Sequence, residues 1–178
     1  MEQARFHRKI RKFSVAIFLP RHCAATNFVN NFFLEQFSDG RCKMVQIDVV
    51  YEGKLRCSAR HVDSGATLVT DAPKDNMGEG KSFSPTDLVG TALGTCMLTT
   101  MAIVGQRNGL DITGTKVTVL KEMTATPPRR IAKLSVEMHV SGKWNDEQKQ
   151  KLQGAALNCP VFKSLHPDVQ IPANFHWE

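Results

Sequence analysis

The chain has 178 residues, 42% of them hydrophobic and 22% charged, with a formal net charge of +6. These proportions suit one globular domain, with or without an extension, and call for no separate second domain. The charge sits at one end. Residues 1–43 hold eight Lys or Arg against Glu2, Glu35 and Asp39, a net of +5, which leaves +1 for residues 44–178. Nucleic-acid binding is not expected of a body with so little excess charge to set against phosphates.

The first 43 residues differ in kind from the rest, with seven of the ten phenylalanines and a single glycine, Gly40. RKIRKFSVAIFLPRH has the basic and short apolar stretches of a secretory leader, but Arg21 and His22 follow at once and no clear small-residue cleavage site appears. The preferred reading is an extension upstream of a natural start at Met44. A chain beginning at Met44 is expected to fold and keep the activity of the whole, which circular dichroism and an activity assay would check. No window is expected to span a membrane, since even Leu88 to Val104 is interrupted by threonines and glycines. No membrane partner is expected.

From Met44 the pattern becomes regular. Val45, Ile47, Val49 and Tyr51 alternate with Gln46 and Asp48, Glu52-Gly53-Lys54 supplies a turn, and Leu55, Cys57 and Ala59 alternate with Arg56, Ser58 and Arg60. This period of two predicts a β-hairpin, with a third strand near Ala66 to Thr70. DNMGEGK, residues 75–81, reads as a polar loop.

Ser84, Pro85 and Asp87 form a helix-start signature of N-cap, proline at the first turn and acid three residues after the cap. The predicted helix ends near Gly109. It is apolar on nearly all sides, which predicts burial by more than one neighbour. Gly90 and Gly94 each weaken a helix by about 1 kcal/mol relative to alanine, which points to close approach by another backbone.

Lys116 to Leu120 and Ile131 to Val140 predict a further strand pair, with Leu134, Val136, Met138 and Val140 on one face. Asn145 with Gln148 caps a polar helix running to about Asn158. Pro160 ends it, because the residue before proline avoids helical geometry. A last strand is predicted within Val169 to Trp177.

The cysteines, at 23, 42, 57, 96 and 159, are odd in number and widely spaced. Neither a secreted disulfide framework nor a zinc knuckle is expected from them. Isolated cysteines fit a reducing, cytoplasmic compartment. In ALGTCMLTTMAI, Cys96 taken alone reads as a small buried hydrophobe.

Two stretches change that weighting. FSPTDLVGTALGTCMLT, residues 83–99, resembles the proline-led helix and cysteine of the OsmC/Ohr family, the osmotically inducible and organic hydroperoxide resistance proteins. ALNCPVFKSLHP resembles that family's second cysteine and the proline after it, and EGKLRCSARH with DAPKDN resembles one OsmC-like branch. The resemblance runs from about Met44 to the C-terminus. It implies an α+β fold of antiparallel sheets around a buried central helix, in an intertwined homodimer with the active site near the interface.

The resemblance further implies a two-cysteine peroxidase of the stress response, with no cofactor. Cys96 would be the peroxidatic thiol that attacks an organic hydroperoxide, and Cys159 would condense with the resulting sulfenic acid to a disulfide. A dithiol reductant of the lipoyl type would reopen it. Leu93, Met97 and Met101 either line a pocket for an apolar peroxide tail or serve only as core. Cys23, Cys42 and Cys57 are not expected to be required, Cys57 reading as an inward-facing strand residue.

Such chemistry needs a thiolate, and an ordinary thiol is only about 3% ionised at pH 7. Cys96 lies twelve residues past Ser84, beyond the first turn over which a helix dipole acts. A cation is therefore required. An arginine about 4 Å away contributes on the order of 4 kcal/mol at an effective dielectric of 20, and Arg56 matches the arginine of the family's related branch. The family often places a glutamate directly after the helix-start proline to hold that arginine, where this chain has Thr86. Asp87 is the candidate replacement, its alternative role being the cap alone, and Glu79 is a further candidate. The competing reading of the whole chain is a non-catalytic small-molecule-binding or structural module with silent thiols.

Overall fold

The computed structural model describes residues 44–178. The extension, leader and start-site readings of residues 1–43 lie outside the described residues. Strands β1 (Ile47–Gly53), β2 (Arg56–His61) and β3 (Thr67–Asp71) form an antiparallel sheet in that order. The β1–β2 turn places Lys54 and Leu55 at φ of 51° and 60°, a pair of left-handed residues that matches the twist of a tight hairpin without a glycine at either position.

Both faces of β1 are open: Val49 and Val50 point to opposite sides and are 62% and 61% exposed. Leu68 and Val69 of β3 are exposed as well. A sheet with apolar side chains uncovered on both faces has its hydrophobic partner elsewhere than in its own three strands.

Helix α1 (Pro85–Arg107) begins as the sequence predicts, with a reciprocal capping box. The Asp87 amide donates to Ser84 Oγ at 3.2 Å and the Ser84 amide donates to Asp87 Oδ2 at 2.7 Å. It closes on Gly109 at φ +67°, with the amides of Gly109 and Leu110 returning to Gln106 and Gly105 carbonyls at 3.2 and 2.9 Å. That double return is a Schellman motif, and it explains the glycine.

Strands β4 (Lys116–Met123), β5 (Ile131–Val140) and β6 (Ala173–Trp177) make the second sheet, and α2 (Asp146–Leu157) and α3 (Pro160–Ser164) connect β5 to β6. The expected all-antiparallel arrangement is corrected here: β6 runs parallel to β5. The long helical connection carries the chain back across the sheet, which a hairpin cannot do.

The core lies between α1, α2 and this second sheet. Leu93, Met97 and Met101 of α1 are fully buried with Leu134, Val136 and Met138 of β5 and Leu152 of α2. They are core residues, the second of the two readings, rather than walls of a tail-binding pocket. A further expectation for α1 also changes. A Cβ at Gly94 would stand 3.1 Å from Val119 Cγ2 and 3.3 Å from Val117 Cγ1, so valine side chains of β4, not a backbone, press on that glycine.

α1 packs on α2, α3 and the second sheet, so burial by more than one neighbour holds, but on one side only: Thr91, Ala92, Thr95, Thr99 and Ile103 are exposed. By length and composition α1 also passes as a membrane-crossing helix, with a mean hydropathy of 1.7 over eighteen residues, contrary to the sequence expectation. Buried against the sheet and α2 along one face, it has the composition of a core helix.

Candidate active site

Cys96 sits mid-way along α1, partly buried at the edge of the core. Cys159 is fully buried. Proline geometry places it there: α2 ends at Leu157 with Asn158 as its cap, Cys159 takes the extended conformation that Pro160 demands, and Pro160 opens α3 at its first turn. The Pro160 signal that ends α2 thus also starts α3. Cys159 is the N-cap of this short helix, its Sγ accepting the Phe162 amide at 3.4 Å. Since α3 packs on α1, the two cysteines meet despite lying 63 positions apart in sequence.

Cys96 is near enough to act on the Cys159 thiol, and neither is in a disulfide. Burial pushes the Cys159 thiol above its ordinary value, and Cys96 beside it pushes the same way, against the Phe162 amide. Cys159 therefore stays protonated at neutral pH, chiefly because it is buried. Cys57, on β2, is free and half-buried.

Arg56 opens β2, directly opposite Asp71 on β3. Its Nη2 donates to Glu79 Oε2 at 2.5 Å and stands 3.8 Å from Asp71 Oδ2. Among the described residues its polar contacts do not include Cys96. The structure thus brings Cys96 and Cys159 together and groups Arg56 with a different set of side chains.

Asp87 is not the acid on Arg56, which corrects that expectation. Its Oδ2 is taken by the cap, and its Oδ1 accepts Lys121 Nζ at 2.5 Å. Lys121 also donates to Thr86 Oγ1 at 2.8 Å, so the position where a glutamate was looked for holds a lysine's partner. The signal for Lys121 was in the sequence: it shares the inward column of β4 with Val117, Val119 and Met123, where a lysine needs an acid.

Partial burial alone would raise the Asp87 carboxyl; hydrogen bonds from Lys121 and Ser84 outweigh it and hold the group below its ordinary 3.8. A carboxylate depressed on folding contributes stability that is present above the unfolded value and is lost as pH falls through the folded one. Asp87→Asn is therefore expected to be less stable than the wild type at pH 7, by about 0.5–1 kcal/mol as for the loss of a partly exposed ion pair with Lys121. The gap should close as pH falls through 3.8 and below, in urea unfolding curves recorded across that range.

Beside this cluster, a groove of about 770 Å³ runs along the exposed face of α1, lined by Phe83, Asp87, Gly94, Thr95, Val119 and Lys121 among others. Among the described residues no cluster of three or more His, Cys, Asp and Glu is placed to hold a metal ion.

A mixed α+β domain with a long apolar helix, two sheets and a thiol pair at the helix flank defines a recognisable class of protein. The profile of the OsmC-like protein family matches residues 78–173, and the chain belongs to that family. It is similar to a Psychrobacter arcticus 273-4 protein named for an osmotic stress induced and detoxification response, at 39% identity over 77% of this chain and 99% of that one, with a TM-score of 0.71. The fold is shared with an organic hydroperoxide resistance protein OsmC of Legionella pneumophila, at 18% identity, 76% and 98% coverage and a TM-score of 0.60. It is also shared with an organic hydroperoxide resistance protein of Elizabethkingia anophelis, at 15% identity, 78% and 99% coverage and a TM-score of 0.62. No curated protein matches the chain.

Proposed function

We propose that this protein is a thiol-dependent peroxidase that reduces organic hydroperoxides through Cys96 and Cys159. The observation that carries the reading is the meeting of two free thiols, one partly buried and one fully buried, brought together by proline geometry and helix packing. The Cys96 thiolate attacks the outer peroxide oxygen. An S–O bond forms, the O–O bond breaks, and the alkoxide leaves and takes a proton to become the alcohol. Cys159 gives its proton to the departing hydroxide as its sulfur attacks the sulfenic acid, which releases water and forms the disulfide. A dithiol, for which the lipoyl type is suited, restores both thiols by exchange.

Arg56 is assigned as the cation that stabilises the thiolate and orients the peroxide, a role that requires it to reach Cys96 in the working assembly, since its contacts within the chain are to Asp71 and Glu79. The working assembly is a homodimer in the cytoplasm, in which a second copy covers the open faces of β1 and β3 and the exposed side of α1. The test is consumption of cumene hydroperoxide with dihydrolipoamide present, together with the mass of the protein after one equivalent of peroxide. Turnover, and loss of two hydrogens on oxidation, support the reading. A protein that consumes no peroxide and keeps both thiols is the silent module instead.

A further inference from the structure

Arg56 has two acids, and they differ in kind. Asp71 is its register partner across the sheet and is 1% exposed. Its Oδ2 accepts the Lys81 amide at 2.8 Å, while its Oδ1 is buried with no partner. A carboxylate buried this deeply needs a cation beside it, and the nearest is Arg56 at 3.8 Å. Glu79 is the opposite case: its side chain is 48% exposed, on the loop between β3 and α1, and it accepts both Arg56 Nη2 and, at 2.6 Å, Lys81 Nζ.

One local fold sets both contacts. The loop doubles back on β3 through the amides of Gly80 to Ala72 O at 3.2 Å and of Lys81 to the Asp71 carboxylate, with Met77 and Gly80 both at φ +62°. The turn that seats Lys81 on Asp71 is thus the turn that brings Glu79 onto Arg56. Both acids engage Nη2, so among the described residues Nε and Nη1 are the donors left to meet a peroxide.

We propose that Asp71 and Glu79 are the positioning residues of Arg56, a buried anchor and an outer clamp that together replace an acid at the start of α1. This rests on the peroxidase reading. The charges in the cluster balance, two cations against two carboxylates, so Arg56 is held without being withdrawn from substrate by a surplus of acid. Lys81 beside Glu79, and then Arg56, keep the Glu79 carboxyl below its ordinary range, so the clamp remains ionised at neutral pH.

The test compares the full chain with Arg56→Ala, Glu79→Gln, Glu79→Asp and Asp71→Asn. Two half-reactions are followed separately, oxidation of Cys96 by cumene hydroperoxide and reduction of the disulfide by dihydrolipoamide. Glu79→Gln and Asp71→Asn are expected to slow oxidation by about 10- to 100-fold, as for a misplaced catalytic group, with the reduction step unchanged. Glu79→Asp should recover most of the loss. Glu79 is exposed, so its variants keep the test open if Asp71→Asn does not fold. Wild-type oxidation in Glu79→Gln while Arg56→Ala is slow overturns the proposal and leaves the peroxidase reading standing. Equal slowing of both half-reactions overturns it as well, since that marks a structural role. Wild-type oxidation in Arg56→Ala removes Arg56 from the mechanism and the proposal with it.

Discussion

Cys96→Ser is expected to abolish turnover of cumene hydroperoxide, a loss of about 10³-fold or more, whereas Cys159→Ser is expected to complete one oxidation per chain and then stop. The asymmetry follows from burial. Cys96 is partly buried at the edge of the core, while Cys159 is shut inside it, protonated, with its sulfur committed to the Phe162 amide. A peroxide meets Cys96 first. Without Cys159 the sulfenic acid has no neighbouring thiol, and dimedone labelling followed by mass measurement should find it on Cys96. Turnover that survives Cys96→Ser would remove the proposed mechanism. A Cys159→Ser protein that is never labelled would exchange or erase the two assigned roles.

Leu93→Ala is expected to cost about 2–5 kcal/mol of stability, read as the midpoint shift in denaturant unfolding. Leu93 is fully buried in the core cluster, and other members of that cluster, among them Met97, Leu134 and Val136, are themselves fully buried in regular elements, which limits collapse into the space. The same substitution separates core from pocket. If Leu93 only packs, the preference of the folded variant for cumene hydroperoxide over hydrogen peroxide equals that of the wild type. A change in that preference with little loss of stability would return Leu93 to the substrate wall.

Local rules made much of this fold legible. The β1–β2 hairpin follows from period-two alternation, α1 from Ser84, Pro85 and Asp87, and the α2 start from Asn145 with Gln148, because each is decided within a few residues. The parallel placement of β6 was not legible, since nothing near residues 173–177 records which way the preceding helices carry the chain. The meeting of Cys96 with Cys159 likewise depends on α3 packing against α1, and family resemblance rather than spacing pointed to it.

The acid on Arg56 shows the limit most clearly. Motif position offered Asp87 either for Arg56 or for the helix cap; the cap commits one carboxylate oxygen, and Lys121 on the inward face of β4 claims the other. Glu79 reaches Arg56 only because Met77 and Gly80 turn the loop left-handed and the Lys81 amide fastens it to Asp71. Those are backbone conformations and long-range bonds. The string DNMGEGK names a loop without saying which of its side chains returns to the sheet.

The sulfur of Cys159 has two claims upon it. As the cap of α3 it is the acceptor that the first turn of a five-residue helix relies on, and in the proposed cycle it is also the atom that bonds to Cys96. A helix so short has little cooperativity of its own with which to absorb a weakened cap. Each turnover would therefore be felt in the backbone of α3 as a loosening and a retying of its first amide. The segment that follows leads into β6, so the oxidation state of one buried atom is mechanically continuous with the edge of the second sheet.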